Sequence, residues 1–274
     1  MSIIIKPIDL DNKGLKNLVE LFHSAFPLSK KFSIDFLQWQ YLNNPRGRVI
    51  GANAFDDGKL VSHYAVIPIA MSIYGETYQG VLSLNTATHP DYQGKGLFTK
   101  LANRTFDIAK SLGYSFVVGV ANGNSTYGFI KKLGFDYIGQ LDMKIGMGIL
   151  KHRTNCDVYR VWSEDELQWR LNNPSAKYVK SEEGIFSIRS FFVKDILTIA
   201  HNVKNINCAS TPKNTIFNLY VGLGLKKPVW GYINFPNIIK RPPFNLIFRD
   251  LTHGGLPKFR KDQVLFQLID FDVI

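Results

Sequence analysis

The chain has 274 residues, enough for one or two hydrophobic cores, and although 45% of them are hydrophobic, no apolar run approaches the roughly eighteen residues of a membrane span. Its start, Met1-Ser2-Ile3-Ile4-Ile5-Lys6, lacks the basic segment of a signal peptide, so a cytoplasmic protein is expected. The formal net charge of +11 suits polyanionic ligands, but the basic residues are scattered in pairs such as Lys131-Lys132 and Lys240-Arg241, which argues against nucleic acid as a partner.

A short strand over 3–5 comes first, then a helix whose apolar residues Leu15, Leu18, Val19, Leu21 and Phe22 share a face. A second helix, Phe36-Leu37-Gln38-Trp39-Gln40-Tyr41-Leu42, is stopped by Asn43-Asn44-Pro45. Strands over 49–55 and 59–67 flank Asp57-Gly58, a pair suited to the left-handed positions of a tight hairpin turn. A third strand, over 70–73, reaches a turn at Gly75.

Val81, Leu82 and Leu84 mark the next strand, which runs through Asn85-Thr86-Ala87-Thr88 into the loop His89-Pro90-Asp91-Tyr92-Gln93-Gly94-Lys95-Gly96. Leu97, Leu101, Ile108 and Leu112 then recur at helical spacing as far as Gly113. The first N–H groups of such a helix have no intrahelical partner and lie at the positive end of its macrodipole, so backbone donors can hold an anion there, and Gly94 and Gly96 let it come close. A Gly-x-Gly pair alone is common in turns before helices. Its context is more specific: a second apolar run, Phe116-Val117-Val118-Gly119-Val120, leads to Asn122-Gly123-Asn124-Ser125-Thr126-Tyr127 and then to Phe129-Ile130-Lys131-Lys132-Leu133-Gly134-Phe135.

The stretch from His89 to Leu97 resembles the acyl-CoA-binding motif of the GNAT N-acyltransferases, and Lys131-Lys132-Leu133-Gly134-Phe135 resembles the helix-to-strand ending that follows it in that family. The resemblance covers roughly residues 1–150. It implies an α/β fold, a mixed and largely antiparallel sheet flanked by helices, whose two central strands splay apart around the pantetheine arm of acetyl-CoA or another acyl-CoA. It further implies that Ala87 and Thr88 bond the pantetheine through their backbone, that Gln93, Gly94, Lys95, Gly96, Leu97 and Phe98 wrap the diphosphate, and that Asn122 and Ser125 meet the cofactor arm. Asn122 reads nearly as well as an Asx-turn residue.

Two positions depart from the family pattern. Gln or Arg is usual where Asp91 stands, so Asp91 is expected to point outward. Tyrosine is usual where Ile130 stands, with a hydroxyl that can protonate the departing thiolate. Tyr127, close to one helical turn earlier, is the substitute candidate for that role, the alternative being a tyrosine packed at a helix start.

The expected chemistry is attack of an unprotonated amine on the thioester carbonyl, with backbone N–H groups near Thr88 holding the oxyanion and an acid returning a proton to sulfur. An acceptor with a pKa near ~8 needs little base, whereas one near ~10.4 needs a real one. His89, His63, Glu20 and the pair Asp270 and Asp272 are the candidates, His89 also reading as a hydrogen-bonded structural residue. Asp270 and Asp272 alternate along an expected final strand, so they share a face and could grip a cationic amine or sugar hydroxyls. No metal is expected, because Cys156 and Cys208 are too few and too isolated for a zinc site or a disulfide framework.

The second half echoes the first. Leu37-Gln38-Trp39 returns as Leu167-Gln168-Trp169, Asn43-Asn44-Pro45 as Asn172-Asn173-Pro174, and strands are expected over 177–180, 184–190 and 194–201. Leu223-Gly224-Leu225 could echo Leu133-Gly134-Phe135 at a shorter offset, and no glycine occurs between Ile185 and Val221 to form a second cradle. Two tandem copies are therefore expected, an acyl-CoA-binding domain over 1–150 and a degenerate copy over 151–274 that helps form the acceptor pocket. The expected acceptor is a small amine. Similarity to GNAT proteins of bacterial surface-polysaccharide pathways puts an amino sugar first, free or nucleotide-linked; an antibiotic or peptide amine, or a CoA-sensing protein without turnover, are the alternatives.

Overall fold

The computed structural model describes residues 2–147, 153, 155–181, 184–191, 194–200, 218–235 and 243–271. Cys208 and Asp272 lie outside them. β1 (Ile3–Pro7) pairs with β2 (Ile50–Asp56), and β2 with β3 (Lys59–Ile73), all antiparallel. Between β1 and β2 come α1 (Asn12–Ala25) and α2 (Ile34–Leu37), the latter continued by a π-helical turn, Gln38–Leu42. At the hairpin, Asp57 and Gly58 both have positive φ (51° and 82°), as the Asp-Gly pair anticipates. β4 (Glu76–Thr88) pairs antiparallel with β3 and parallel with β5 (Phe116–Ala121), and α3 (Leu97–Ser111) makes the crossover between β4 and β5.

The central strands are buried on both faces, and their side chains alternate between two cores. Ala65, Ile67, Ile69, Leu82, Leu84, Phe116 and Val118 join Leu15, Leu18, Phe22 and Phe36 of α1 and α2. Tyr64, Val66, Val81 and Val117 join Leu101, Ala102 and Phe106 of α3. This alternation explains a near-continuous apolar run that shows no period of two.

The expected break near Pro68 does not occur: 59–67 and 70–73 are one strand. On one edge of β3, pairing with β2 ends at Val66 and pairing with β8 (Val158–Val161) begins at Ala70. Pro68 falls in the gap, where no N–H is needed, and its carbonyl accepts a bond from Asn44 Nδ2 at 3.1 Å.

After β5 come α4 (Gly123–Tyr127), continued by a π-helical turn Gly128–Lys132, then β6 (Asp136–Gln140) and β7 (Asp142–Gly146). Beyond β8 lie α5 (Glu164–Leu171), β9 (Lys177–Ser181), β10 (Gly184–Phe191), β11 (Lys194–Ala200), β12 (Asn218–Leu223), β13 (Tyr232–Asn234), β14 (Asn245–Asp250), β15 (Val264–Gln267) and α6 (Leu268–Phe271). The described strands form one sheet. β14 lies between β5 and β6, and β7 lies between β12 and β13, so each half of the chain donates a strand to the other. Pairing therefore crosses residue 150 in both directions. Like β4 and β5, β11 and β12 are parallel.

The two echoed helices meet face to face. The indole rings of Trp39 and Trp169 stack at 4.6 Å between centroids, Trp39 Nε1 donates to the Trp169 carbonyl at 2.7 Å, and Trp169 Nε1 donates to the Trp39 carbonyl at 2.8 Å. The turns that follow also match: the Arg46 N–H donates to Asn44 Oδ1 (3.1 Å), and the Ser175 N–H to Asn173 Oδ1 (2.8 Å). The proposed echo of Leu133-Gly134-Phe135 in Leu223-Gly224-Leu225 has a different setting, since Leu133 leads into β6 whereas Leu223 ends β12.

Candidate active site

The glycine loop has the backbone its sequence implies. A short 3-10 turn, Pro90–Tyr92, leads to Gly94 and Gly96 at φ +75° and +74°, and α3 begins at Leu97 with no side chain capping its N-terminal N–H groups. A left-handed residue twice in three positions is the physical reason for the glycines. The Gln93 amide reaches back to the Thr88 carbonyl at 3.5 Å, and the Tyr92 hydroxyl donates to Asp56 at 2.9 Å, which ties the loop to the β2–β3 turn. Lys95 Nζ lies 4.5 Å from the centre of the Tyr92 ring. Asp91 has an outward side chain, 81% exposed.

Beside this helix start the sheet opens. β4 and β5 pair only as far as Ser83 and Gly119, yet β4 continues to Thr88 and β5 to Ala121. Two parallel strands that part in this way leave a slot with backbone polar groups on both walls. A cleft of about 560 Å³ occupies it, with Ser83, Leu84, Asn85 and Thr86 on one wall and Gly119, Val120 and Asn122 on the other. Phe98, the second residue of α3, also lines it, so helix start and cleft are contiguous. Phe26, Phe32, Phe129 and Phe244 add aromatic surface. None of the described lining residues is a carboxylate. A larger and separate hollow of about 850 Å³ runs along β1, the start of α1 and the β2–β3 turn; it adjoins neither the diverging strands nor the start of α3.

β4 bulges where it leaves β5. The register with β3 shifts between His63 and Ala65, so Asn85 and Thr86 oppose the single residue Tyr64, and Asn85 takes φ +48°. The Tyr64 hydroxyl is bonded to Ser83 Oγ at 2.7 Å. Ala87 and Thr88 lie one step beyond, on the β3 side. Both pair with β3, the Ala87 carbonyl accepts from Ser62 Oγ (3.1 Å), and Thr88 Oγ1 is 2.8 Å from the same hydroxyl. They do not line the cleft; Ser83 to Thr86, which sequence reasoning passed over, do. An asparagine inside an apolar strand was the available signal, because Asn tolerates the left-handed region better than most residues.

Asn122 and Ser125 cap α4 reciprocally, with the Ser125 N–H on Asn122 Oδ1 at 2.9 Å and the Asn122 N–H on Ser125 Oγ at 3.1 Å, and both line the cleft. Tyr127 is 66% exposed and outside the lining, although its neighbours Gly128 and Phe129 belong to it. His89 caps the 3-10 turn, accepting from the Asp91 N–H at 3.4 Å, and stands 3.4 Å from Lys59 Nζ. Glu20 and His23 lie on α1.

The terminal acids differ from expectation. Residues 268–271 form a helical turn, and Asp270 is 4% exposed, accepting from Trp162 Nε1 (3.0 Å) and the Gln267 N–H (2.6 Å). Burial raises its pKa to about 6 against the pull of Arg160. It belongs to a buried cluster at the junction of the two halves, where Glu166 pairs with Arg46 (2.6 Å) and Arg160 (3.5 Å). Asp270 thus lies on a helical turn rather than on the expected strand and does not face the cleft, while Asp272 lies outside the described residues.

Among the described residues, no helix is long and apolar enough to cross a membrane. Residues 7–138 match the acetyltransferase (GNAT) domain family. No curated protein matches the chain in sequence. Solved structures share the fold along nearly the whole chain. A probable N-acyltransferase of unknown function from Enterococcus faecalis superposes with a TM-score of 0.61 at 11% identity, over 92% of this chain and 73% of that one. A GCN5-related N-acetyltransferase from Anabaena variabilis gives 0.60 at 12% identity, over 91% and 73%. Another, from Kribbella flavida, gives 0.56 at 10% identity, over 91% and 72%.

Proposed function

We propose that this chain, an acyltransferase built around a GNAT domain and supplied by acyl-CoA, moves an acetyl group from acetyl-CoA to the primary amine of a small acceptor. One observation carries the reading: the parallel strands β4 and β5 part beside the uncapped, glycine-preceded start of α3. The pantetheine amides find strand backbone on both sides of the slot, and the diphosphate finds the N–H groups of residues 93–98. The thioester oxygen is served by backbone donors at the Asn85–Thr86 bulge, nearer the cleft than Ala87 and Thr88. Holding amine and thioester together supplies much of the rate, up to about 7–11 kcal/mol from orientation. Exposed Tyr127 and buried Asp270 both lie outside the lining, which supports solvent as the source of the proton returned to sulfur.

An amino sugar, free or nucleotide-linked, is the acceptor to try first, in a cytoplasmic setting. The part after residue 150 is read as a degenerate second copy; its echoed helix at an offset of 130 residues, the reciprocal tryptophan pair and the exchanged strands support this. The test is a screen of amino sugars, peptides and aminoglycosides with acetyl-CoA, following free thiol. Thiol release that depends on one acceptor class identifies the substrate. Tight acetyl-CoA binding without release for any amine would make the chain a CoA-sensing protein instead.

A further inference from the structure

Asn85 ends a buried chain of hydrogen bonds that has a direction. His63 is 1% exposed and neutral, because burial lowers its pKa to about 3. Its Nδ1 lies 2.7 Å from Asn53 Oδ1, a carbonyl oxygen that only accepts, so the ring proton sits on Nδ1. Nε2 is left as the acceptor and takes the Tyr41 hydroxyl at 2.9 Å. The Tyr41 oxygen in turn accepts from Asn85 Nδ2 at 3.1 Å, and the other Asn85 N–H goes to Gln40 Oε1. With both its hydrogens bonded, the Asn85 amide keeps Oδ1 without a partner among the described residues, and Asn85 lines the cleft at the bulge.

We infer that Asn85 Oδ1 accepts an N–H of the attacking amine and that the acceptor is a weakly basic amine, one with an appreciable unprotonated fraction near neutral pH. This rests on the acyltransferase reading of the cleft. A carbonyl acceptor on one N–H turns the nitrogen lone pair toward the thioester but cannot deprotonate an ammonium ion. No described lining residue is a carboxylate, and the ring of His63 is bonded at both nitrogens. Amines with a pKa near ~8 fit such a site, and lysine-like amines near ~10.4 do not. In the step itself the N–C bond forms and the C–S bond breaks with its electron pair on sulfur; the nitrogen sheds a proton to water and the thiolate takes one from water. Tyr41 and His63 are positioning residues that hold the Asn85 amide.

The decisive variant is Asn85→Gly, because glycine keeps the left-handed backbone while removing the amide. Acetyl-CoA affinity by calorimetry should stay within twofold, and kcat/KM for the acceptor found by thiol release should fall at least tenfold. Tyr41→Phe should lower the rate less, and the double variant should be no slower than Asn85→Gly alone. In an amine series at pH 7, kcat/KM should fall as amine pKa rises. Parental rates in Asn85→Gly, losses that multiply in the double variant, or a preference for lysine-like amines would each overturn the inference. If acetyl-CoA affinity falls with the rate, Asn85 serves the donor and the inference also fails. A parent that binds no acetyl-CoA or acylates no amine instead refutes the acyltransferase reading beneath it. Should Tyr41→Phe not fold, Asn85→Gly and the amine series decide.

Discussion

Trp39 and Trp169 each donate an indole N–H to the other's backbone carbonyl while their rings stack at 4.6 Å. Two residues at matching places in echoed helices thus make the same bond to each other, and the contact joins the two halves of the chain. Arg170 lies over both rings, with its guanidinium carbon 5.5 Å and 4.8 Å from their centres. Buried indole N–H groups without these carbonyls would each cost about 1–3 kcal/mol.

A fragment of residues 1–150 would lose this partner and β14, leaving β5 and β6 without the strand between them. The exposed edges and the uncovered Trp39 surface predict a fragment that aggregates. Size-exclusion chromatography with light scattering checks it, and a monodisperse fragment with full transfer activity would show the second half to be dispensable.

Gly96→Val forces a β-branched residue to φ +74° at the helix start. Acetyl-CoA affinity measured by calorimetry on the folded variant is expected to drop at least tenfold, about 1.4 kcal/mol. Unchanged affinity would make the loop an ordinary turn.

Tyr127→Phe tests the source of the proton. The two-thirds exposed ring outside the cleft predicts kcat within twofold of the parent and an unaltered alkaline limb. A fall of about 100-fold, with acetyl-CoA affinity retained, would restore Tyr127 as general acid in place of Ile130.

The buried His63 also links stability to pH. Its folded pKa is lowered from 6.5 to about 3, so between these values the unfolded chain binds a proton that the folded chain does not. The contribution is full above 6.5 and is lost as pH falls, about 2 kcal/mol by pH 5. Asp270 runs the other way: its folded pKa is raised from 3.8 to about 6, so its contribution is full below 3.8 and lost as pH rises through 6. Urea unfolding of His63→Gln should show a deficit at pH 7 that shrinks by about 2 kcal/mol at pH 5, with Asp270 common to both proteins. A deficit independent of pH would mean that His63 titrates freely in the fold.

Local chemistry was legible in the sequence. Asp57-Gly58, Gly94 and Gly96 sit at left-handed backbone positions, which few residues tolerate, so residue type reported conformation directly. Partner choice was not. Nothing local in Asn245–Asp250 says that it pairs with β5 and β6, because strand pairing depends on faces assembled from distant segments. The same limit hid the role of Pro68, which breaks a strand only where a neighbour needs its N–H. At the site, the glycine loop announced itself, but the bulge at Asn85 depends on how β3 and β4 register. Asp270 misled because the apolar run before it reads as a continuing strand, whereas residues 268–271 form a helical turn.

The exchange of β7 and β14 bears on how the protein is made. The strand that completes the sheet beside β5 leaves the ribosome only after every element from β8 to β13, so at about 5–20 residues per second the outer edge of β5 stays unpaired for several seconds of synthesis. During that time β5 and β6 are open templates for any extended segment, and α4, whose Thr126 receives a bond from Asn245 at 2.8 Å, lacks its neighbour. Such long-range pairing raises the contact order and slows folding. Completion of the sheet beside β5 is therefore a late event in the life of the nascent chain.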